Sequence, residues 1–339
     1  MKTMSLARGL AASALLNGFA LTGVSQAQEP IVIKFSHVVT PETAKGRAAE
    51  RFKQLAEQRS NGRVKVEIYP NGSLYKDKEE LEALQLGSVQ MLAPSLSKFG
   101  PLGEKEFEVF DIPYMFPNRE SIERVESGPI GRKLMAKLET KGITGLSFWD
   151  NGFMIFSANR PISVPSDLKG LKMRIQSSKV KEAQTRALHA IPQVTAFSDA
   201  YQALQTGVVD GTENTWSNMY TQKMHEVQKY AVDTYHGYLG YAVIVNAKFW
   251  SDLPPVIRAT LESAMKDATQ YEHEIADKDN EDAMAAIEKS GRTKILHLTP
   301  EQRAAWVKAL LPVRDAVAGR LGSDLVTELA RDQAMATSP

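Results

Sequence analysis

Residues Leu168–Val180 read LKGLKMRIQSSKV. Lys169-Gly170 supplies a turn. Leu171 to Ile175 alternates apolar and polar, the period of a half-buried strand. Ser177 and Ser178 are N-cap residues for a helix over Lys179 to Ala190. Arg174 thus stands near the carboxyl end of a strand, just before a helix N-terminus, where open α/β sheets place ligands. The helix end offers free N–H groups and partial positive charge. The guanidinium adds a planar fork that grips a carboxylate through two parallel hydrogen bonds. A surface arginine paired with a nearby Asp or Glu is the plainer reading, and the flanking sequence has to separate the two.

Upstream, Ile31 to Phe35 reads as a buried strand, with Ser36 and His37 at its carboxyl end. Pro41 to Asn61 is predicted as an amphipathic helix with Ala44, Ala48, Phe52, Leu55 and Ala56 inward. Val64 to Tyr69 is a second strand, Asp77 to Leu86 a helix with Gly87 as its C-cap, and Gln90 to Ala93 leads into a third strand. This β-α-β-α-β order points to a doubly wound α/β lobe. The second half repeats part of it. LEALQLGSVQM at Leu81–Met91 and YQALQTGVVDG at Tyr201–Gly211 share Ala, Leu, Gln, Gly and Val at the same offsets. Two lobes of one βα design are therefore expected.

Between them, Gly145 to Phe156 reads as a strand on each side of Asp150-Asn151-Gly152, a turn or hinge signal. Tyr238 to Asn246 is a second long apolar strand. Two such crossings would hinge the lobes. Pro254-Pro255 starts a helix in the favoured way, and the pattern runs unbroken to Gly291, roughly 50 Å at the helical rise. That length predicts a helix across both lobes. Shorter helices at Pro300–Leu311 and Pro312–Ala330 close the chain. The expected division is residues 1–27 as a signal peptide, 28–151 plus about 240–279 as the first lobe, and 152–239 plus about 280–339 as the second.

The signal reading rests on Lys2 and Arg8, an apolar stretch from Leu10 to Val24, and small residues flanking Gln26. That stretch is short for a membrane span, so an exported, periplasmic protein is expected. Beyond residue 27 the chain carries 39 Lys and Arg against 40 Asp and Glu, a balance that favours neither nucleic acid nor an anionic membrane surface. No cysteine is present, which excludes disulfides, thiol nucleophiles and thiolate metal sites. No motif for a phosphate loop, a nucleophile elbow or a zinc helix occurs, and the six His are scattered. No cofactor or metal is called for.

A cleft between the lobes gathers the remaining candidates. Arg174 and Asn214 lie on one side, Lys98 and His37 on the other. Trp149, Phe153, Phe197, Trp216 and Tyr241 are the nearby aromatics. Ser95, Met154, Ser177 and Ser178 complete the candidate lining. One cation from each lobe suits a small dianion, which would favour a closed state.

The chain resembles the periplasmic solute-binding proteins of TRAP (tripartite ATP-independent periplasmic) transporters, specifically the C4-dicarboxylate binders of the DctP type. The match is carried by IKFSHVV at Ile33–Val39, YKDKEELEALQLGSVQMLAPSLSKFGPLG at Tyr75–Gly103, FEVFDIPYMF at Phe107–Phe116, LKGLKMRIQSSKV, the run Tyr201–Tyr230, and HGYLGYAVIVN at His236–Asn246. The resemblance implies a two-lobe α/β binding protein of type II-like architecture, with crossing strands and a long shared helix. It implies a non-enzymatic role: capture of succinate, malate or fumarate and delivery to the small and large membrane subunits of an ion-driven permease. Arg174 matches the family arginine that pairs with a substrate carboxylate, Asn214 the asparagine that supports it, and Lys98 a basic position of the first lobe. Relatives often carry a basic residue where this chain has Met154. That departure keeps a 2-oxo acid, an aromatic acid or a sugar acid open as alternative ligands. An exported enzyme using His37 is the rival of another class. A monomer is expected, and a sensor kinase reading the liganded form is a further partner class.

Overall fold

A computed structural model describes residues 29–336; the signal-peptide reading falls outside them. The first βα unit runs β1 (Ile31–Ser36), α1 (Ala44–Arg59), β2 (Val64–Tyr69), α2 (Glu80–Gln85) and β3 (Met91–Leu92). Two helices, α3 (Arg119–Ser127) and α4 (Pro129–Lys137), lead to strand β4 (Ile143–Phe153) and then β5 (Ile155–Ala158). The second unit is β6 (Lys172–Ile175), α5 (Lys179–Ala187), β7 (Ile191–Val194), α6 (Ala200–Gln205) and β8 (Gly211–Asn214). It is followed by α7 (Trp216–Thr221), β9 (Tyr230–Val232), β10 (Tyr238–Asn246) and α8 (Ala247–Asp252). The chain closes with α9 (Pro255–Ser290), β11 (Lys294–Leu296), α10 (Pro300–Leu321) and α11 (Ser323–Ala336).

Two sheets form, one per lobe. Their orders are β2-β1-β3-β10-β4 and β11-β9-β5-β8-β6-β7. The repeat seen in the sequence is a repeat of topology: β2-β1-β3 and β7-β6-β8 are the same parallel βαβαβ unit. Both units turn into their third strand through a left-handed glycine, Gly87 at φ 76° and Gly207 at φ 72°, a conformation that glycine enters without Cβ strain.

Asp150-Asn151-Gly152 is not a turn. β4 runs through it, and β10 pairs antiparallel along its length, with Gly152 opposite Leu239. Cross-strand pairing overrides the local turn propensity of these residues. The break comes at Met154, where the chain leaves the first sheet and enters the second. The helix expected from Pro41 starts at Ala44, because the Thr43 side chain caps it by accepting from the Gly46 N–H. The helix expected from Asp77 starts at Glu80, and α5 ends at Ala187 rather than Ala190, since His189 adopts positive φ. Pro312 does not end a helix; α10 passes through it. Pro312 and Lys308, whose carbonyl the missing N–H would have met, lie on the exposed face, while Leu310, Val313 and Val317 keep the opposite face buried.

Helix α9 spans about 54 Å at the helical rise and packs on α1, β4 and α7. Its Asp279 bonds Arg47 (2.6 Å) in the first lobe and the Ser217 hydroxyl (2.5 Å) in the second. Helix α10 packs on α5 and on the short turn Lys105–Asp111, and α11 packs on α3. No helix of the described residues is long and apolar enough to cross a membrane.

Candidate functional site

The carboxyl ends of β1, β3, β6 and β8 converge where the lobes meet. Strand β6 delivers Arg174, which is 2% exposed. Its Nε and Nη2 both donate to the Thr195 carbonyl, at 3.0 and 2.8 Å. That side-on grip fixes the guanidinium and leaves its end-on pair of N–H groups for a carboxylate. The Phe197 ring lies 5.8 Å from it. Burial presses the Arg174 pKa down, offset by Asp77 and Glu213; a guanidinium starts high enough to stay charged. Asn214 ends β8, and its side-chain oxygen accepts from the Thr215 N–H (3.0 Å) and from Asn218 (2.9 Å).

The facing lobe contributes two lysines. Lys98 lies in the short turn Leu96–Phe99 and pairs with Asp77 and with Glu80 (2.5 Å). Burial works against its charge, but the two carboxylates outweigh that and hold its pKa above the ordinary lysine value. Asp77 in turn is held down at about 2, Lys98 outweighing its burial, and its other oxygen accepts from the Phe197 N–H of the second lobe (2.5 Å). Asp77 therefore links the lobes. Lys45 is different. It sits in the first turn of α1, donates to the Ala93 carbonyl (3.0 Å), and lies 3.6 Å over the Tyr241 ring. Among the described residues no carboxylate pairs with it. Burial, and then Lys98, push its pKa down to about 7. Gly46 follows because nothing larger fits: an added Cβ would come within 2.5 Å of the Thr40 carbonyl oxygen.

These groups line one inner pocket where the lobes meet. Of the residues expected from sequence, Arg174, Asn214, Lys98, Ser95, Met154, Phe197 and Tyr241 line it, joined by Lys45, Asp77, Gln176, Asn218 and Leu239. Gln176 ties the lobes again by donating to the Ser95 hydroxyl (2.9 Å). An outer cleft opens beside it and shares Asp77, Lys98, Arg174 and Gln176; Ser177 lines this outer part.

Four expected residues stand elsewhere. His37 is buried but does not line the cavity; burial first, then Lys45, push its pKa down to about 3. It is neutral and adds no charge. Ser178 caps α5, accepting from the Lys181 N–H (3.2 Å). Phe153 and Trp216 line a separate pocket with Arg119, Asp277 and Tyr235. The omitted cation, Lys45, opposes the helix dipole from the first turn of α1, a local rule broken at a functional position that shows only once the helix is seen to start at Ala44 rather than Pro41.

The model of the family described as bacterial extracellular solute-binding protein, family 7 (DctP), matches residues 35–320. The chain belongs to this family. It is 61% identical over 298 residues to the C4-dicarboxylate-binding periplasmic protein DctP of Rhodobacter capsulatus, covering 88% of this chain and 90% of that one. Among solved structures, a TRAP periplasmic solute-binding protein from Sulfurospirillum deleyianum with bound succinate superposes with a TM-score of 0.87 at 43% identity, over 89% of this chain and 99% of that one. One from Pseudomonas aeruginosa with bound L-malate gives 0.83 at 41% identity, over 85% and 100%. Members of this family are solute-binding proteins, and the two-lobe α/β fold is theirs.

Proposed function

We propose that the protein captures a four-carbon dicarboxylate (succinate, malate or fumarate) in the periplasm and delivers it to the membrane subunits of a TRAP transporter, without chemical turnover. The observation that carries this reading is a pair of cations on opposite lobes, both lining one inner pocket and, among the described residues, neither paired with a carboxylate. Arg174 has its end-on face free, and Lys45 has no carboxylate partner. Lys98 adds a third charge, already shared with Asp77 and Glu80. Asn214 and Gln176 supply hydrogen bonds that orient the acid. The ligands bound to the two relatives with solved structures support the same class. In this reading the lobes divide where the chain passes from β4 of the first sheet to β5 of the second at Met154, α9 packs on α1 and on α7 across the two lobes, and α10 touches both α5 and the turn Lys105–Asp111.

Thermal melting of ligand-stripped protein tests the reading. Ligand at a thousand times its dissociation constant adds about 4 kcal/mol, a rise of several degrees. Succinate, malate or fumarate should raise the midpoint and butyrate should not. A rise with butyrate alone refutes the second charge. Conversion of a bound acid, followed by NMR over hours, would refute the non-enzymatic role.

A further inference from the structure

Met154 stands where the chain passes from one sheet to the other. Its N–H donates to the Gly237 carbonyl (2.8 Å) and its carbonyl accepts from the His236 N–H (3.2 Å). With the backbone held on both sides, the side chain is fixed in the wall of the inner cavity, 1% exposed. Its sulfur touches a charge. The Lys181 ammonium lies 3.1 Å from Sδ, 3.3 Å from Asp111 and 3.1 Å from Glu213. Lys181 is itself 1% exposed. The two carboxylates are committed further: Asp111 accepts from Ser97 (2.8 Å), and Glu213 from Gln184 (2.7 Å). A thioether is a weak acceptor, so the ammonium's poorest contact is the one facing the cavity wall. One side chain separates a buried cation from the ligand space.

We infer that Met154 is a specificity residue: its side chain limits the cavity to short diacids and screens Lys181, a latent cation that a longer diacid would reach if the thioether were cut back. The inference rests on the dicarboxylate reading above. Replacing methionine by alanine removes three heavy atoms, room for a methylene or more. A methylene that fits or fails to fit in an apolar pocket changes affinity about 10- to 200-fold. A carboxylate reaching Nζ would also exchange a sulfur acceptor for a charge-assisted hydrogen bond.

Calorimetry on the wild-type protein, Met154→Ala and the double variant Met154→Ala/Lys181→Gln would decide, using succinate, glutarate and glutaramate, the five-carbon acid with one carboxylate replaced by an amide. Wild type should prefer succinate to glutarate. Met154→Ala should shift that ratio toward glutarate by about tenfold or more, with glutaramate gaining less, and the double variant should return the ratio of glutarate to glutaramate to its wild-type value. An unchanged ratio in Met154→Ala overturns the length limit. Equal gains for glutarate and glutaramate overturn the part assigned to Lys181, even if the double variant does not fold. Met154→Val, which removes less, serves if the alanine variant does not fold. A wild-type protein that binds neither diacid overturns the dicarboxylate reading itself, and this inference with it; one that binds succinate leaves that reading standing whatever the variants do.

Discussion

Raising the pH from 7 to 9 should weaken diacid binding about fiftyfold, through Lys45 alone. In the ligand-free protein its pKa lies at about 7, because burial and the neighbouring Lys98 both disfavour its charge. A carboxylate placed against it restores the charge and lifts the pKa, so the complex holds a proton that the free protein has half lost at pH 7. The apparent dissociation constant then scales as one plus ten to the power of pH minus pKa, from about 2 at pH 7 to about 100 at pH 9. The sign for stability is opposite. The folded, ligand-free protein binds fewer protons than the unfolded chain between pH 7 and the ordinary lysine value. Its stability therefore rises with pH across that window, as far as this group is concerned, while its affinity falls. Asp77, held near 2, does not titrate in that range, and neither does His37, buried outside the cavity lining with a pKa near 3. Isothermal calorimetry from pH 6.5 to 9, in buffers of different ionisation enthalpy, reads both quantities. About half a proton should be taken up per ligand at pH 7, approaching one at pH 8.5. Lys45→Met should bind more weakly and lose the pH dependence. Affinity that stays flat from pH 7 to 9 in the wild-type protein would refute the reasoning.

Three further outcomes follow from the same geometry. Arg174→Lys should weaken succinate binding by well over tenfold in a titration, because an ammonium cannot keep the Thr195 grip and present two parallel donors as well; near wild-type affinity would remove Arg174 from the site. Asp77→Ala removes one of the two carboxylate partners of Lys98 and the acceptor for the Phe197 N–H. Breaking a buried pair outright costs about 3–5 kcal/mol; with Glu80 still on Lys98 the loss is smaller, so the melting midpoint should drop by a few degrees and ligand release, followed by stopped flow, should quicken. Gly46→Ala should destabilise by about 1–3 kcal/mol through overpacking, since its Cβ would meet backbone atoms that cannot swing away; an unchanged melting curve would show that the first turn of α1 yields.

Arg174 was legible in the sequence because its signal is local: a strand of alternating pattern, a turn before it and a serine cap after it, all within thirteen residues. The repeat of the βα unit was legible for the same reason, since helix, glycine and strand follow each other in the chain. Lys45 was not, because its meaning depends on Tyr241 and Ala93, which only the folded chain brings beside it. Lys98 was read as a free charge because Asp77 and Glu80 look like ordinary helix acids until the turn Leu96–Phe99 folds back on them. Met154 stood out as a missing charge; the cation lying directly behind its sulfur belongs to another helix and left no local trace.

The misread triplet Asp150-Asn151-Gly152 shows how the crossing connects to the site. Its polar residues serve the inside of the fold rather than a turn. The Asn151 amide donates to the Tyr241 hydroxyl and to Asn218 (3.3 Å), its carbonyl oxygen accepts from Thr215, and its backbone carbonyl accepts from Asn280 of α9 (2.5 Å). Tyr241 and Asn218 are themselves cavity walls, and Tyr241 carries Lys45 over its ring. Gly152 takes φ 122° with Asn280 packed where a Cβ would lie, 2.9 Å away, so glycine is required there by the close approach of the long helix. One asparagine thus bonds a residue of the first sheet, residues at the end of the second, and the helix that packs on both. A ligand that draws Lys45 and Asn214 together acts on neighbours of the same network. In a pocket built this way, affinity and lobe geometry share their hydrogen bonds, and a substitution at Asn151 would be felt in both although it does not line the pocket.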